Sequence, residues 1–183
     1  IELAKEKSDI LKKHDLSDKE YALTTVHRAG NTDDPKKLNN IFQALDKIAR
    51  EKMPVILPIH PRTEERLHDY DIDPGAIKII DPVPYLDMIN LENNADVIIT
   101  DSGGVQKEAY FYGVPCVTLR EDTEWVETVE AGWNELVGSK QNLIIEGVQS
   151  SIEKEELAKE TFYGEGKAAL AILSTLLTHY ESS

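Results

Sequence analysis

The sequence contains one cysteine, Cys116, and no long run of apolar residues. A single cysteine excludes a disulfide framework and a cluster of thiolate metal ligands. No segment approaches the ~18 apolar residues that a membrane-spanning helix requires. The chain also does not open with the basic and apolar segments of a secretory signal. We therefore expect a cytoplasmic protein with no membrane partner.

Basic residues are scarce relative to acidic ones. The chain has 20 Lys and Arg against 34 Asp and Glu, which gives a net charge of −14. Nonspecific binding to nucleic acid depends on cationic contacts with phosphates, so this charge argues against a nucleic-acid partner. It does not exclude a phosphorylated small molecule, because a local site can oppose the global charge.

Length and apolar pattern predict one domain over residues 1–183. Short β-branched segments alternate with longer segments of helical period, which predicts a Rossmann-like, doubly wound parallel sheet of the α/β class. The predicted strands are residues 21–26, 54–59, 76–80, 96–100, 115–119 and 135–137. The predicted helices are residues 3–13, 35–50, 64–70, 84–93, 104–112, 124–131, 153–159 and 167–180.

Several sites common in such folds are absent from the sequence. No strand is followed by G-x-G-x-x-G, so we expect no hydride-transfer cofactor. Ser102 does not lie in the nucleophile motif G-x-S-x-G, because Thr100 stands where the first glycine belongs. His27 and His60 have no carboxylate at a local ligand spacing, which argues against a metal site.

Polar residues follow three of the predicted strands. His27 and Arg28 come after the first strand, His60 after the second, and residues 101–104 after the fourth. Ligands of open α/β sheets bind outside the carboxyl ends of the strands. The sequence therefore predicts that these residues meet at one ligand site, although loops at strand ends are polar in many proteins.

The segment Asp101-Ser102-Gly103-Gly104 leads from a strand into a helix. Glycines there let a phosphate approach the main chain, where the free N–H groups and the helix dipole favour an anion. The same glycines are equally expected in a plain tight turn capped by Asp101 or Ser102. Glu108 lies between one and two turns into the helix, within reach of a ribose, although an isolated Glu is more often a solvated surface residue.

His27 and Arg28 are the candidate reactive side chains. A histidine acts as an acid or base near neutral pH or donates a hydrogen bond to phosphate. An arginine offers a bidentate phosphate contact. The simpler alternatives are a loop histidine without a role and a surface ion pair.

Several motifs occur together and in one order along the chain. They are Thr25-Val-His27-Arg28-Ala-Gly-Asn31, His60-Pro-Arg-Thr63, Tyr85-Leu86, Asp101-Ser-Gly-Gly-Val-Gln-Lys-Glu108, Gly113-Val-Pro115, Arg120 with Thr123-Glu124, Gly132 to Gly138, and Tyr163-Gly-Glu-Gly166. Together they resemble the non-hydrolysing UDP-N-acetylglucosamine 2-epimerases. The resemblance spans nearly the whole chain.

The resemblance implies a GT-B architecture of two facing Rossmann-like domains, of which this chain corresponds to the carboxyl-terminal, nucleotide-holding half. It implies a missing amino-terminal domain as partner and a homodimer at full length. The implied reaction converts UDP-N-acetylglucosamine to UDP-N-acetylmannosamine. UDP is eliminated across C1–C2 to give a 2-acetamidoglucal and is then added back, without a metal or redox cofactor.

The resemblance also assigns residues. His27 matches a functional histidine near the leaving UDP, and residues 102–104 (Ser102, Gly103, Gly104) match the diphosphate loop. Glu108 matches the ribose ligand, and Met88 a contact near the uracil. Arg28 and His60 resemble residues that contact a second, regulatory UDP-sugar in bacterial members. The general acid and base carboxylates of the family belong to the missing half.

The chain departs from the commoner family pattern near the diphosphate and the uracil. Trp125 replaces an arginine, and Val83 and Met88 replace a glutamine and a phenylalanine. This combination resembles the branch that acts on UDP-2,3-diacetamido-2,3-dideoxyglucuronate. Two further alternatives are a GT-B glycosyltransferase and a nonenzymatic UDP-sugar-binding domain.

Overall fold

The computed structural model describes residues 1–154, 162–164 and 166–181. Six parallel strands form one sheet in the order β3-β2-β1-β4-β5-β6. Each predicted strand is found, and the doubly wound α/β fold is confirmed. The strands are β1 Ala22–Thr25, β2 Val55–Pro58, β3 Lys78–Ile80, β4 Val97–Thr100, β5 Cys116–Thr118 and β6 Asn134–Leu136.

The helices differ from prediction at three places. The predicted opening helix is two helices, because the backbone is extended at Ser8. A short α3 and a long α9 were not predicted, and the predicted helix at 153–159 lies beyond α9, where residues 155–161 are outside the described residues. The helices are α1 Glu2–Lys7, α2 Ile10–Lys13, α3 Ala29–Thr32, α4 Pro35–Glu51, α5 Pro61–Asp69, α6 Tyr85–Asn94, α7 Gly103–Tyr112, α8 Val126–Glu130, α9 Gln141–Glu153 and α10 Ala168–Glu181.

Successive residues of a strand belong to two separate hydrophobic cores, one on each face of the sheet. In β2, Val55 and Leu57 belong to the core under α4 and α9, whereas Ile56 belongs to the core on the side of α6 and α7. Alternate strand residues point to opposite faces of a sheet. Both faces are therefore covered by helices, and this explains why the central strands β1 and β4 are buried along their whole length.

Local signals explain where the principal helices start and stop. The side chain of Asp34 accepts hydrogen bonds from the backbone N–H groups of Lys36 and Lys37, and Pro35 occupies the first turn of α4. α7 ends at Gly113, whose φ of 69° is the left-handed conformation that glycine adopts freely. In the described residues, no helix is long and apolar enough to cross a membrane.

The sheet order places a switch point between β1 and β4. The chain proceeds from β1 outward through β2 and β3, then returns to pair β4 with the opposite side of β1. The loops after β1 and β4 consequently leave the sheet side by side, winding in opposite directions. This opens a crevice at the carboxyl ends of these two strands.

Candidate active site

A buried aspartate joins the two loops at the switch point. Asp101 is 0 % exposed. Its carboxylate accepts hydrogen bonds from the backbone N–H groups of His27 (3.1 Å) and Arg28 (3.0 Å) and from Nδ2 of Asn31 (3.1 Å). The carboxylate therefore fixes the loop after β1 against the end of β4. The helix cap is Ser102, one of the two candidates, and the bridging role of Asp101 was not predicted.

Asn31 is a site residue that sequence reasoning did not assign. Besides Asp101, its amide group donates to the carbonyl of Leu119 at 3.0 Å, at the end of β5. A third strand end is thereby joined to the first two. The only signal in the sequence was its position in the Thr25–Asn31 motif, since nothing local shows that an asparagine has distant partners.

His27 stands at the edge of this anchored loop. Its Nδ1 lies 3.6 Å from Oδ1 of Asp101, and its side chain is 39 % exposed. Nδ1 therefore faces the carboxylate, and Nε2 is the ring nitrogen that does not. The ring of His60 lies 5.7 Å away, centroid to centroid, which confirms that the loops after β1 and β2 meet.

The Ser102–Gly104 loop forms the first turn of α7. The Ser102 side chain accepts from the N–H of Val105 at 3.5 Å, and its own N–H donates to Oγ1 of Thr100 at 2.9 Å. In the part of the chain that the structure describes, the N–H groups of Gly103 and Gly104 meet no acceptor. Free N–H groups at the start of a ten-residue helix favour an anion.

Arg28 lies against the same loop. A β-carbon at Gly103 would stand 3.6 Å from Nη2 of Arg28 and 3.5 Å from Oε2 of Glu124. The charge of Arg28 is among the causes that lower the pKa of Glu124. Arg28 also borders a cavity of about 410 Å³ whose charged lining comprises Lys37, Arg120, Glu121 and Asp122. Arg28 is therefore positioned to meet an anion at the α7 N-terminus.

Trp125 and its neighbours close the other side of the loop. The indole Nε1 donates to the carbonyl of Gly103 at 2.7 Å. Arg120 is bound to Glu124 and Asp122, each at 3.0 Å, and its hydrogen bonds lower the pKa of Glu124 to about 2. Arg120 is therefore paired with two exposed carboxylates.

Glu108 and Met88 lie further from the anion site. Glu108 is half-buried on α7, and burial raises the pKa of its carboxyl group. Met88 is half-buried on α6 and packs against the core that α6 shares with α7. The predicted ribose and uracil contacts therefore belong to two neighbouring helices.

Among the described residues, no group of His, Cys, Asp and Glu is arranged to hold a metal ion.

These features define the class of the protein. A doubly wound sheet with an anion-binding helix N-terminus at its switch point is a Rossmann-like domain of the type that forms GT-B proteins. The family model described as UDP-N-acetylglucosamine 2-epimerase matches residues 1–177. The chain belongs to this family.

Relatives from several organisms share this similarity. The chain is 48% identical to a UDP-N-acetylglucosamine 2-epimerase homolog of Methanococcus maripaludis, covering 95% of this chain and 49% of the relative. It is 45% identical to the UDP-2,3-diacetamido-2,3-dideoxy-D-glucuronate 2-epimerase of Pseudomonas aeruginosa, covering 85% and 44%. The chain thus spans about half the length of these curated relatives.

Solved structures agree with the sequence comparison. The UDP-GlcNAc 2-epimerase of Methanocaldococcus jannaschii, in complex with UDP-GlcNAc and UDP, matches with a TM-score of 0.83 and 38% identity. The match covers 97% of this chain and 50% of that one. The epimerase of Neisseria meningitidis bound to UDP-GlcNAc matches with a TM-score of 0.78 and 30% identity, covering 96% and 51%.

Proposed function

We propose that this chain is the UDP-binding half of a UDP-N-acetylglucosamine 2-epimerase, which interconverts UDP-N-acetylglucosamine and UDP-N-acetylmannosamine in the cytoplasm. The main supporting observation is the anion site made by the free N–H groups of Gly103 and Gly104 beside Arg28. The M. jannaschii relative, whose structure holds UDP-GlcNAc and UDP, supports the choice of nucleotide.

In this proposal the diphosphate lies at the start of α7 and the ribose near Glu108. Breaking the bond from C1 to oxygen leaves negative charge on the departing diphosphate. The free N–H groups, the helix dipole and Arg28 stabilise that charge. The proton on C2 leaves to a base of the other half, so the products of this step are UDP and a 2-acetamidoglucal. Addition of UDP with protonation of the opposite face at C2 gives the epimer.

His27 assists the departure of UDP in this proposal. The contact of Nδ1 with Asp101 orients the ring, so that Nε2 donates a hydrogen bond or proton to the phosphate oxygen that develops charge. Because Asp101 also holds the backbone of residues 27 and 28, one carboxylate aligns both the histidine and the arginine. No metal or redox cofactor is part of the proposal.

The partner of this half is an amino-terminal domain of the same protein, and we propose that α10 packs against it. The exposed side chains of α10 include Leu170, Leu173, Leu176 and Leu177, each more than half exposed. An apolar helix in water marks a surface that another structure covers. The curated relatives are about twice as long as this chain, which leaves room for such a domain. In the full-length protein we expect a homodimer.

A titration of this chain with UDP, paired with an epimerase assay, tests the proposal. We expect weak UDP binding that the substitution Ser102→Ala or Glu108→Gln reduces and the exposed change Glu146→Gln on α9 does not. We also expect no turnover, because the other half supplies the catalytic carboxylates. Absence of UDP binding would contradict the proposed UDP site. Epimerisation by this chain alone would contradict the proposal that the catalytic carboxylates belong to the other half.

A second candidate substrate is UDP-2,3-diacetamido-2,3-dideoxyglucuronate. Trp125, Val83 and Met88 favour it, as does the similarity to the P. aeruginosa enzyme named for that compound. Physically, Met88 is an adaptable apolar contact for a base, whereas the indole N–H of Trp125 is already bound to Gly103. Comparing kcat/KM of the full-length protein on both UDP-sugars decides between the two.

The two remaining alternatives are distinguished by chemistry at C2. A GT-B glycosyltransferase transfers the sugar to an acceptor and leaves the C2 proton in place. A binding domain without activity transforms no sugar. Incorporation of solvent deuterium at C2 by the full-length protein therefore supports the epimerase and contradicts both alternatives.

A further inference from the structure

A buried carboxyl group lies in the helix that contributes Met88. Glu92 on α6 is 1 % exposed. Among the described residues, its Oε1 has no hydrogen-bond partner. Asp101, the other deeply buried carboxylate discussed above, has three donors. An ionised carboxylate without a cation or donors is costly to bury, so Glu92 requires an explanation of its own.

The titratable neighbours of Glu92 bring no positive charge to it. The charge that acts on Glu92 is that of Glu108 on α7, and Glu92 acts in turn on Tyr112 of α7 and on the thiol of Cys116 in β5. Lys107 of α7 instead lies over the rings of Trp125 and Tyr163. Helices α1 and α2 also pack against α6, and their charged side chains are exposed and exert no resolved effect on Glu92. These are Glu2, Lys5, Glu6, Lys7, Lys12 and Lys13.

The helical spacing relates this carboxyl to the nucleoside contacts. Met88 and Glu92 are four residues apart and share one side of α6, and Glu108 and Tyr112 share one side of α7 in the same way. Met88 and Tyr112 pack against one common core. Glu92 therefore lies one turn from the proposed uracil contact and faces the helix of the proposed ribose contact.

We propose that Glu92 is a positioning residue for the nucleoside end of the site: as a neutral carboxylic acid it leaves Glu108 as the ionised member of the pair, and its own ionisation weakens UDP binding. This inference rests on the proposed function, since it assumes that Glu108 holds the ribose.

The physical reason is the repulsion between two carboxyl groups on helices that pack together. Burial and the charge of Glu108 raise the pKa of Glu92 to about 8, so Glu92 is protonated at neutral pH. An ionised Glu108 accepts hydrogen bonds from ribose hydroxyls. When Glu92 also loses its proton, its buried negative charge adds to that of Glu108, and the second charge also repels the anionic ligand.

The experiment compares UDP affinity across pH in this chain and in Glu92→Gln. Glutamine keeps the size and neutrality of the protonated acid and removes its titration. Between pH of about 7 and about 9.5, we expect the wild-type affinity to fall about three- to tenfold more than that of the variant. At pH of about 7 the two affinities should agree. Dividing the wild-type affinities by those of the variant at each pH cancels the titration of UDP and of every protein group that the two chains share.

Glu146→Gln removes an exposed carboxylate from α9 and controls for net charge. We expect its pH profile to follow that of the wild type. Parallel profiles for wild type and Glu92→Gln would overturn the inference and leave UDP binding intact. Absence of UDP binding by the wild type at every pH would instead overturn the proposed function.

A measurement on the unsubstituted chain keeps the test valid if Glu92→Gln fails to fold. Carbon-13 labelling of the glutamate carboxyl groups should reveal by NMR one group that titrates near pH 8, in accordance with its raised pKa. Addition of UDP should shift that resonance. If every glutamate carboxyl titrates in the ordinary acidic range, the inference is wrong.

Discussion

Single residues of this domain act over long distances in sequence. Asp101 receives donors from residues 27, 28 and 31, and Trp125 reaches back to the carbonyl of Gly103. These contacts hold both sides of the turn at the start of α7 by hydrogen bonds, which fixes the proposed phosphate site. The role proposed for His27 follows from the contact of its ring with Asp101.

Replacement of His27 by alanine in the full-length enzyme should lower turnover by ~10²–10⁴-fold, since it removes proton donation or electrostatic help to the leaving UDP. Steady-state kinetics on the UDP-sugar measure the effect. The substitution His68→Ala, on α5 and away from the Asp101 anchor, should leave the rate nearly unchanged. Equal turnover in the wild type and His27→Ala would show that His27 is only a loop residue.

Glu92 also makes folding stability depend on pH. The pKa of Glu92 rises from an ordinary 4.5 to about 8 in the folded state. Between these pH values Glu92 keeps a proton in the folded state that it has lost in the unfolded state. Its contribution to the free energy of unfolding is therefore highest below the unfolded pKa and falls as pH rises towards the folded pKa. The contribution of this group is at most about 1.4 kcal/mol per pH unit. Urea unfolding from pH of about 5 to about 9 should show a smaller decline in Glu92→Gln.

At the scale of helices and strands, the sheet was predictable and two helices were not. The strands are short apolar segments, and their flanking Pro, Gly and polar residues mark the ends. The four-residue α3 has no periodic pattern to detect, and its residues were assigned to a loop. α9 has no side-chain cap at its start and contains Gly147 in its interior, so local signals for a helix are weak there.

The site was predictable for a related reason. Strand ends in a parallel sheet meet at one edge, so placing His27, His60 and Ser102 there required only the strand assignments. The partners of Asp101, Asn31 and Trp125 depend on contacts between residues far apart in sequence. No local pattern specifies such pairs, and their roles therefore emerged only from the structure.

Gly147 is required by packing, and we expect Gly147→Ala to destabilise the domain. An added β-carbon would lie 2.9 Å from Cγ1 of Val137 and 3.4 Å from Cγ1 of Val117. Overpacking of this kind costs ~1–3 kcal/mol, which exceeds the gain of at most about 1 kcal/mol in helix propensity. Urea denaturation measures the change. Ser150→Ala, exposed on the same helix, should be neutral or slightly stabilising; a similar stabilisation by Gly147→Ala would refute the packing argument.

At the scale of the whole molecule, charge and apolar surface are unevenly distributed. The acidic chain places Arg28 beside Gly103 at the start of α7, whereas α10 exposes a set of large apolar side chains. The first feature permits binding of a phosphorylated ligand despite a net charge of −14. The second agrees with a chain that spans half the length of its relatives.

The substitution Leu173→Glu tests the role assigned to α10. Leu173 is 53 % exposed in this domain, so the change should alter the stability of the 183-residue chain by at most ~0.5 kcal/mol. In the full-length protein it should place a charge in the interface with the amino-terminal domain, lowering the unfolding temperature and the epimerase rate. Equal behaviour of the two full-length proteins would show that α10 packs elsewhere.

The hydrogen bonds that Asp101 accepts from the loop after β1 also have a consequence for folding. The donors at His27 and Arg28 precede Asp101 by 74 and 73 positions, with β2, β3, β4 and three helices of eight or more residues between them. Closing so long a loop costs chain entropy, and the loop closes only when other tertiary contacts compensate that cost. The ligand crevice therefore exists only after β1 and β4 have paired, so no early fragment of the chain presents it. A nucleotide that recognises this crevice stabilises the finished fold by mass action rather than guiding its formation.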